Sequence, residues 1–195
     1  MPIQIGQTPG HDFDEPLGLL SDCHRRIEHF LHVLVVVDAE AAGGRLTPAH
    51  RSALEASLRY FATAAPKHTA DEEQSLFPRL RDSPDPAAAA AMVLVDRLER
   101  DHHEADVHHS AVATLVRRWL AEDHLSPSEA RELRERLAQL QRLYQRHIMV
   151  EDEELFPAAA RVLDGAQLRQ IGREMAARRQ LRPDSSENSD RSTGL

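Results

Sequence analysis

The sequence predicts an all-α protein: an up-down-up-down four-helix bundle followed by a short fifth helix at the C-terminus. Strand signals are almost absent, because aromatic residues are few and long stretches are rich in Ala, Leu, Arg and Glu, which favour helix. Polar breaks divide these stretches into four long segments with short connections. The motif HTADEEQSLFP at 68–78 also recurs as HIMVEDEELFP at 147–157, which indicates that the chain contains two copies of one helical hairpin.

The first two helices are delimited by glycine, threonine and proline. The first is predicted over about 17–42, because the Gly-Gly pair at 43–44 ends it. Thr47 is a suitable N-cap and Pro48 suits the first helical position, so the second helix begins there. The segment DSPDP at 82–86 ends the second helix.

Three acidic or hydroxyl side chains predict the starts of the remaining helices. Asp85 can cap the third helix, and Ser126 with Glu129 three residues later forms a capping box that opens the fourth. The Asp-Gly pair at 164–165 introduces a shorter fifth helix, which we expect to reach about residue 181.

Length and composition predict one domain over 14–181, followed by a disordered polar tail over 182–195. The net charge of −8 argues against nucleic-acid binding, since a phosphate-binding surface needs clustered Lys and Arg. No apolar run approaches the roughly 18 residues of a membrane span, and the N-terminus lacks the pattern of a secretory signal. With Cys23 as the single cysteine, we expect a cytoplasmic protein without a disulfide.

Each of the four long helices has a buried stripe with alternating spacings of four and three residues. Each stripe contains a histidine at a position where an apolar residue is expected, and the stripe of the third helix contains a second one, His109. In the second and fourth helices, the stripe position four residues after that histidine is a glutamate. The six inward polar residues are His24, His68, Glu72, His102, His147 and Glu151.

These six residues are predicted to form one layer, because residues equally distant from a shared loop lie at equal heights in an antiparallel bundle. A buried carboxylate is costly unless it is paired or bound to metal. Four imidazoles and two carboxylates at one height therefore predict a site for two metal ions, with the carboxylates as bridges. This mixed ligand set suits Fe, Mn or Zn, and it leaves coordination positions open for dioxygen, peroxide or nitric oxide.

Residues beside the stripe are separated from the ligands by their helical position. His103 is the alternative to His102, but the apolar Ala105 three residues further on favours His102. Glu28 and Asp106 also follow a histidine by four residues, yet they fall off the stripe and are expected to be solvated.

Other residues near the predicted site have weaker roles. His109 is expected to be a core or cavity histidine, and Tyr144 either packs in the core or bonds to a bound ligand or feeds it electrons. Cys23 is expected to be a small, half-buried residue, with a redox-sensitive thiol as the alternative.

The Leu-Phe-Pro segments are expected to cover the open end of the bundle and to stop the helices. Partners that orient the ligand histidines are expected among Glu73, Asp152 and Arg25. Surface positions are expected for His11, His29, His32, His50, His108 and His124.

The order His, His-x-x-x-Glu, His, His-x-x-x-Glu on four helices resembles the bacterial hemerythrin-like family known as the HHE cation-binding domain. The phrases DCHRRIEHFL at 22–31, KHTADEEQSLFPRL at 67–80 and HIMVEDEELFP at 147–157 carry the resemblance, which covers about 14–160. It implies a non-haem di-iron site with an oxygen bridge, although zinc or manganese are also compatible. The ligands that it implies are His24, His68, Glu72, His102, His147 and Glu151.

The ligand set also differs from that of the oxygen-carrying hemerythrins, which use a fifth histidine and an aspartate. It resembles more closely the relatives linked to nitric oxide, peroxide and iron–sulfur repair, although the paired cysteines of many repair proteins have no counterpart here. Three functions remain open: sensing or detoxification of a small ligand at a di-iron site, iron holding or delivery without turnover, and partner binding by a helical protein with structural metal. We expect a gaseous or peroxide ligand, an electron donor that the sequence does not identify, no nucleic-acid or membrane partner, and a monomer or homodimer.

Overall fold

The computed structural model describes residues 10–180, which form helices and connecting turns without any strand. The predicted tail over 182–195 lies outside the described residues. Two five-residue π-helical turns, Glu72–Leu76 and Glu151–Leu155, join α3 to α4 and α6 to α7. The α-helices are α1 Pro16–Ala41, α2 Pro48–Thr63, α3 Ala65–Asp71, α4 Phe77–Arg81, α5 Pro86–Glu122, α6 Pro127–Val150, α7 Phe156–Val162 and α8 Gly165–Arg178.

The helices form the predicted up-down-up-down bundle. The first hairpin pairs α1 with the column α2–α4, and the second pairs α5 with the column α6–α7. α1 also packs on α6 and α2 on α5, which closes the four columns into a ring. α8 is the predicted short fifth helix and lies against α1 and α3. Within residues 10–180, none of the helices combines the length and the apolar character that crossing a bilayer requires.

Capping side chains start the helices where the sequence predicts. Thr47 accepts a hydrogen bond from the backbone N–H of His50 at 3.1 Å, and Asp85 accepts one from Ala87 at 2.8 Å. Ser126 and Glu129 form the predicted capping box at the start of α6. These side chains satisfy backbone donors that have no partner within the helix, so each hairpin turns within a few residues.

The prediction that the two Leu-Phe-Pro segments stop the helices is wrong. The helical path continues past Pro78 to Arg81 and past Pro157 to Val162. A proline lacks a backbone N–H, and its ring collides with the carbonyl four residues earlier in a regular α-helix. Here a π turn precedes each proline, and its wider hydrogen-bond ring accommodates the proline without ending the helix.

Two apolar clusters lie above and below the height of the predicted ligands. One surrounds Trp119 and includes Leu31 of α1 and Leu137 of α6. The other includes Leu20 of α1 and Phe77 of α4, and it is completed by apolar residues of α8. Since each long helix contributes to both clusters on either side of its predicted ligand, the polar layer is enclosed by packed core.

Charged contacts hold α8 on the first hairpin. Asp71 is fully buried and accepts hydrogen bonds from Arg178 and Arg179, each at 2.7 Å. Glu174 accepts hydrogen bonds from Arg79 at 2.7 Å and from the Ser75 hydroxyl at 2.6 Å. Both contacts lie on the stretch around the first π turn, so α8 fastens the segment that carries Glu72.

The Glu174 contact predicts a pH-dependent contribution to stability. Burial raises the pKa of Glu174, but the hydrogen bonds from Arg79 and Ser75 outweigh it and lower the pKa to about 2. A carboxylate with a depressed pKa stabilises the fold above its unfolded-state pKa, and this contribution is lost as the pH falls from about 4.5 towards 2. Glu174→Gln should therefore lower the free energy of unfolding by about 1–2 kcal/mol at pH 7, and by less below pH about 4.5.

Urea denaturation of wild type and variant across this pH range measures the effect. Glu135→Gln, at an exposed position of α6, is the control and should change little at any pH. A Glu174→Gln deficit that stays constant down to the lowest pH would contradict the role of the charge.

Candidate metal centre

The six predicted residues lie together between the two apolar clusters, in what we call the ligand layer. All six are buried, with exposed fractions between 0% and 8%. Each hairpin contributes three of them: His24, His68 and Glu72 from the first, and His102, His147 and Glu151 from the second.

Two groups of four ligand atoms are present in the ligand layer, and within each group all atoms lie within 4.8 Å of one another. One group combines His24 and His68 with both glutamates, and the other combines His102 and His147 with both glutamates. The imidazoles of one hairpin thus belong to one group, whereas the carboxylates are shared. This arrangement matches two adjacent cation positions joined by two carboxylates.

Each glutamate lies between imidazoles of both hairpins. Oε1 of Glu72 is 3.4 Å from Nε2 of His68, and Oε2 is 3.3 Å from Nε2 of His102. Glu151 contacts the other histidine of each hairpin through one oxygen, Oε2, which is 3.2 Å from Nε2 of His147 and 3.0 Å from Nε2 of His24. The glutamates therefore join the hairpins across the bundle axis.

The inward atoms of the layer are not satisfied by other side chains. Both carboxylate oxygens of Glu72 and of Glu151 are buried and accept no hydrogen bond from any described residue. The Nε2 atoms of His24 and His102 are in the same condition. Buried polar atoms are usually paired, so this convergent set fits metal ions, which carboxylate and imidazole lone pairs bind directly.

The electrostatics of the layer favour positive charge. Burial lowers the pKa of His24, but Asp152 and Glu151 outweigh it and raise the pKa to about 10. His102 behaves alike: burial opposes protonation, whereas Glu72 and Glu73 raise the pKa to about 10. Because the carboxylates attract positive charge to their imidazole partners, they would attract a metal cation for the same reason.

The pKa values of the two glutamates are shifted in opposite directions. Burial, together with the charge of Glu151, raises the pKa of Glu72 above its usual range. Burial also acts to raise the pKa of Glu151, but His147 and His24 outweigh it and lower that pKa. Two carboxylates held so close together disfavour a double negative charge unless cations separate them.

The outer nitrogens of two ligand histidines are held by acidic residues from the opposite hairpin. His24 Nδ1 lies 3.0 Å from Oδ1 of Asp152, which also accepts a hydrogen bond from the Ser21 hydroxyl at 2.7 Å. His102 Nδ1 lies 2.9 Å from Oε1 of Glu73. Each of these acids directly follows the shared glutamate of its own hairpin in sequence. The contacts fix Nδ1 as the outward nitrogen, so that Nε2 faces the layer.

The predicted orienting residues are therefore correct for Glu73 and Asp152 and wrong for Arg25. Arg25 is paired with Asp22 on the same helix and does not reach a ligand histidine. The sequence reasoning missed Asp101, whose carboxylate lies 3.6 Å from His147 Nδ1. Asp101 directly precedes His102 in the sequence, and this position was a signal that it lies near the ligand layer. His68 Nδ1 has no hydrogen-bond partner among the described residues.

The phenylalanines of the Leu-Phe-Pro segments cover the layer. Phe156 stacks on His24 with ring centroids 5.6 Å apart, and Phe77 stacks on His102 at 6.2 Å. Both phenylalanines are buried. Each hairpin thus covers a histidine of the other hairpin, as it also does with its acidic residue. The two phenylalanines keep water from one end of the site.

A cavity of about 40 Å³ adjoins the layer on the opposite side. One water-sized molecule needs about 10–15 Å³, so the space suits two or three waters or one diatomic molecule. Its lining includes three further side chains of interest: Phe61, His109 and Tyr144. Tyr144 Oη and His109 Nε2 are hydrogen-bonded at 2.8 Å, and burial lowers the pKa of His109 to about 4.

The residues off the stripe take the predicted positions, but several others are more buried than predicted: His29 and His50 are partly buried, and His108 and Cys23 are buried. His103, Glu28 and Asp106 are exposed, as their place off the stripe predicts. His108 was expected at the surface, but it is 8% exposed because Arg136 of α6 lies over it, 3.4 Å from its Nδ1. Cys23 is buried, and burial raises the pKa of its thiol, which disfavours the reactive thiolate.

Comparisons with known proteins agree with this geometry. A protein of Haemophilus influenzae, described as uncharacterized, is 29% identical over 170 residues, which cover 87% of this chain and 93% of the relative. The model of the hemerythrin HHE cation-binding domain matches residues 15–159, a range that includes all six residues of the ligand layer. The chain therefore belongs to the hemerythrin HHE cation-binding domain family.

Proposed function

We propose that this chain is a non-haem di-iron protein that binds a small ligand, namely dioxygen, peroxide or nitric oxide, in order to sense or detoxify it. The observation that supports the proposal is the sharing of Glu72 and Glu151 between two four-residue groups. Shared carboxylates suit two ions side by side, bridged also by an oxygen atom, better than a single ion. His24 and His68 would hold one ion, and His102 and His147 the other.

Iron is the proposed metal because the donor types allow it and the proposed chemistry needs a redox-active ion. Imidazole and carboxylate donors suit Fe, Mn and Zn, whereas all-oxygen sets suit Ca and Mg. A bound iron pair would supply one-electron redox chemistry and open coordination positions. The chain would contribute the ligand geometry, because Asp152 and Glu73 hold two imidazoles with Nε2 facing inward.

The cavity supports a small ligand. A volume of about 40 Å³ admits a diatomic molecule or a peroxide but excludes an organic substrate of ordinary size. Apolar side chains, among them Ile27 and Phe61, line part of it and limit the access of water. A ligand bound there would lie beside the imidazoles and near the hydroxyl of Tyr144.

Enclosure of the ligand layer favours this proposal over an iron-holding or iron-delivery module. The six residues are buried between two apolar clusters, and Phe77 and Phe156 cover two of the imidazoles. Delivery of iron would require this packing to open at each release, whereas a small ligand needs only the cavity.

Removal of either shared glutamate should reduce the binding of both ions. Glu72→Ala and Glu151→Ala should each lower the metal content from about two ions per chain to below one, since the loss of a bridge weakens both positions. Glu28→Ala, on an exposed face of α1, should leave the metal content unchanged. Elemental analysis of the purified variants, with circular dichroism to establish folding, measures this.

The spectrum of the wild-type protein tests the choice of iron. About two irons per chain, with near-ultraviolet absorption of an oxygen-bridged pair that bleaches with dithionite and returns in air, would support the proposal. Zinc in a well-folded protein, or readily exchanging iron without a reversible spectral change, would favour a structural or metal-holding role. Equal metal loss in all three alanine variants would contradict the assignment of the glutamates.

The acids outside the ligand layer should affect metal affinity without being ligands. Asp152→Ala should weaken metal binding by about 10–100-fold, because His24 loses the contact that orients its ring. Glu153→Ala, at the exposed neighbouring position, is the matched control and should have little effect. Competition with a chromophoric chelator gives both affinities, and equal affinities in the two variants would contradict the orienting role.

A further inference from the structure

Aromatic rings form a continuous path from the ligand layer towards the protein surface. The ring of His147 lies 6.4 Å from Tyr144, measured between centroids, and Tyr144 lies 5.7 Å from His109. His109 lies 4.3 Å from Phe61, which is 5.3 Å from Tyr60. The path then reaches Phe30, 4.3 Å from Tyr60.

Both tyrosines of the chain lie on this path, one near each end. Tyr144 lies beside the cavity and the ligand histidine, whereas Tyr60 and Phe30 lie at the far end of the path; all three are partly exposed. Tyrosine is oxidised by one electron more readily than phenylalanine or histidine, so the two tyrosines are the positions where an unpaired electron would reside.

The hydrogen bond between Tyr144 and His109 suits one-electron oxidation of the tyrosine. A tyrosine that loses an electron becomes strongly acidic and must release its phenolic proton. His109 Nε2 lies 2.8 Å from the Tyr144 hydroxyl and, as the acceptor in a neutral imidazole, can take that proton. At the other end, the hydroxyl of the partly exposed Tyr60 donates a long hydrogen bond of 3.5 Å to the carbonyl of Cys23. A carbonyl cannot take up the proton, so on oxidation the proton of Tyr60 would pass to water.

We propose that Tyr144 and Tyr60 form a redox relay that carries electrons from a soluble one-electron donor, such as ascorbate, to the metal centre when a peroxide oxidises it. This inference rests on the proposed di-iron function. In this relay the electron donor delivers its electrons at Tyr60 and Phe30, on the side of the bundle formed by α1 and α2.

The relay balances in electrons and protons. Tyr144 loses one electron towards the oxidised centre, and its proton passes to His109. Tyr60 then transfers an electron to Tyr144 and its own proton to water, while His109 returns its proton to Tyr144. The donor finally reduces Tyr60, which regains a proton from water. Two such passes deliver the two electrons that reduce hydrogen peroxide to two waters, with protons taken from solvent.

Trp119, the single tryptophan, provides an internal control because it is readily oxidised but lies elsewhere. It is ten residues beyond His109 on α5, about 15 Å along the helix axis, and its indole N–H donates to the carbonyl of Gly44. It does not belong to the path between the ligand layer and Tyr60.

Freeze-quench electron paramagnetic resonance of the iron-loaded protein mixed with hydrogen peroxide tests the relay. Wild-type protein should give a transient tyrosyl signal that ascorbate removes. Tyr144→Phe should abolish the signal, because the first electron step is lost. Tyr60→Phe should retain the signal on Tyr144 and slow its removal by ascorbate. Trp119→Phe should behave as wild type.

A second measurement separates the relay from the iron chemistry. In zinc-loaded protein, a soluble photo-oxidant should generate a radical on Tyr60, where the donor delivers its electrons, and Tyr60→Phe should prevent this whereas Tyr144→Phe should not. Reversible iron redox chemistry without a tyrosyl radical, or ascorbate decay that is equal in wild type and Tyr60→Phe, would overturn the relay and leave the proposed function standing. An iron-loaded protein without redox chemistry would overturn both, even if light still produced the radicals.

Discussion

The structure depends on the burial of two glutamates at the bundle axis. Glu72 and Glu151 are fully buried, and an isolated carboxylate in such a place is strongly destabilising. The surrounding imidazoles, and the cations that the imidazoles and carboxylates can bind together, offset the unfavourable free energy of burying the two carboxylates. Because each glutamate needs partners from both hairpins, the hairpins must meet in one register. The chemistry of the site and the register of the fold therefore follow from the same constraint.

The reciprocal contacts between the two hairpins are not limited to the glutamates. Asp152 holds His24 and Glu73 holds His102, while Phe156 and Phe77 cover the same two histidines from the opposite hairpin. A single hairpin thus lacks the orienting acid and the covering ring for its own first histidine. This makes docking of the hairpins and completion of the site one event, and metal binding should stabilise the docked state.

Much of the fold and of the ligand layer can be predicted from the sequence, since both depend on periodic patterns. The apolar stripes define which face of each helix is inward, and caps such as Ser126 define where helices begin. The π turns were not predictable from local rules, because a proline such as Pro78 normally indicates the end of a helix. The contact of Asp101 with His147, and the cover of Arg136 over His108, depend on side-chain directions between neighbouring helices. The periodicity of a single segment does not determine in which direction a side chain points relative to the neighbouring helix.

The two halves of the duplication are alike at the ligands and unlike at the cavity. The residue seven positions after His102 is His109, whereas the corresponding position in the first hairpin is the buried Leu31. Tyr144 lies three residues before its ligand histidine, and Ala65 occupies that place in the first hairpin. The repeated residues would hold two cations in similar ways, but the hydrogen-bonded pair of Tyr144 and His109 lies on the second hairpin, beside His147. Two ions in this layer would consequently not be equivalent, because the position of His102 and His147 would lie nearer to the Tyr144–His109 pair.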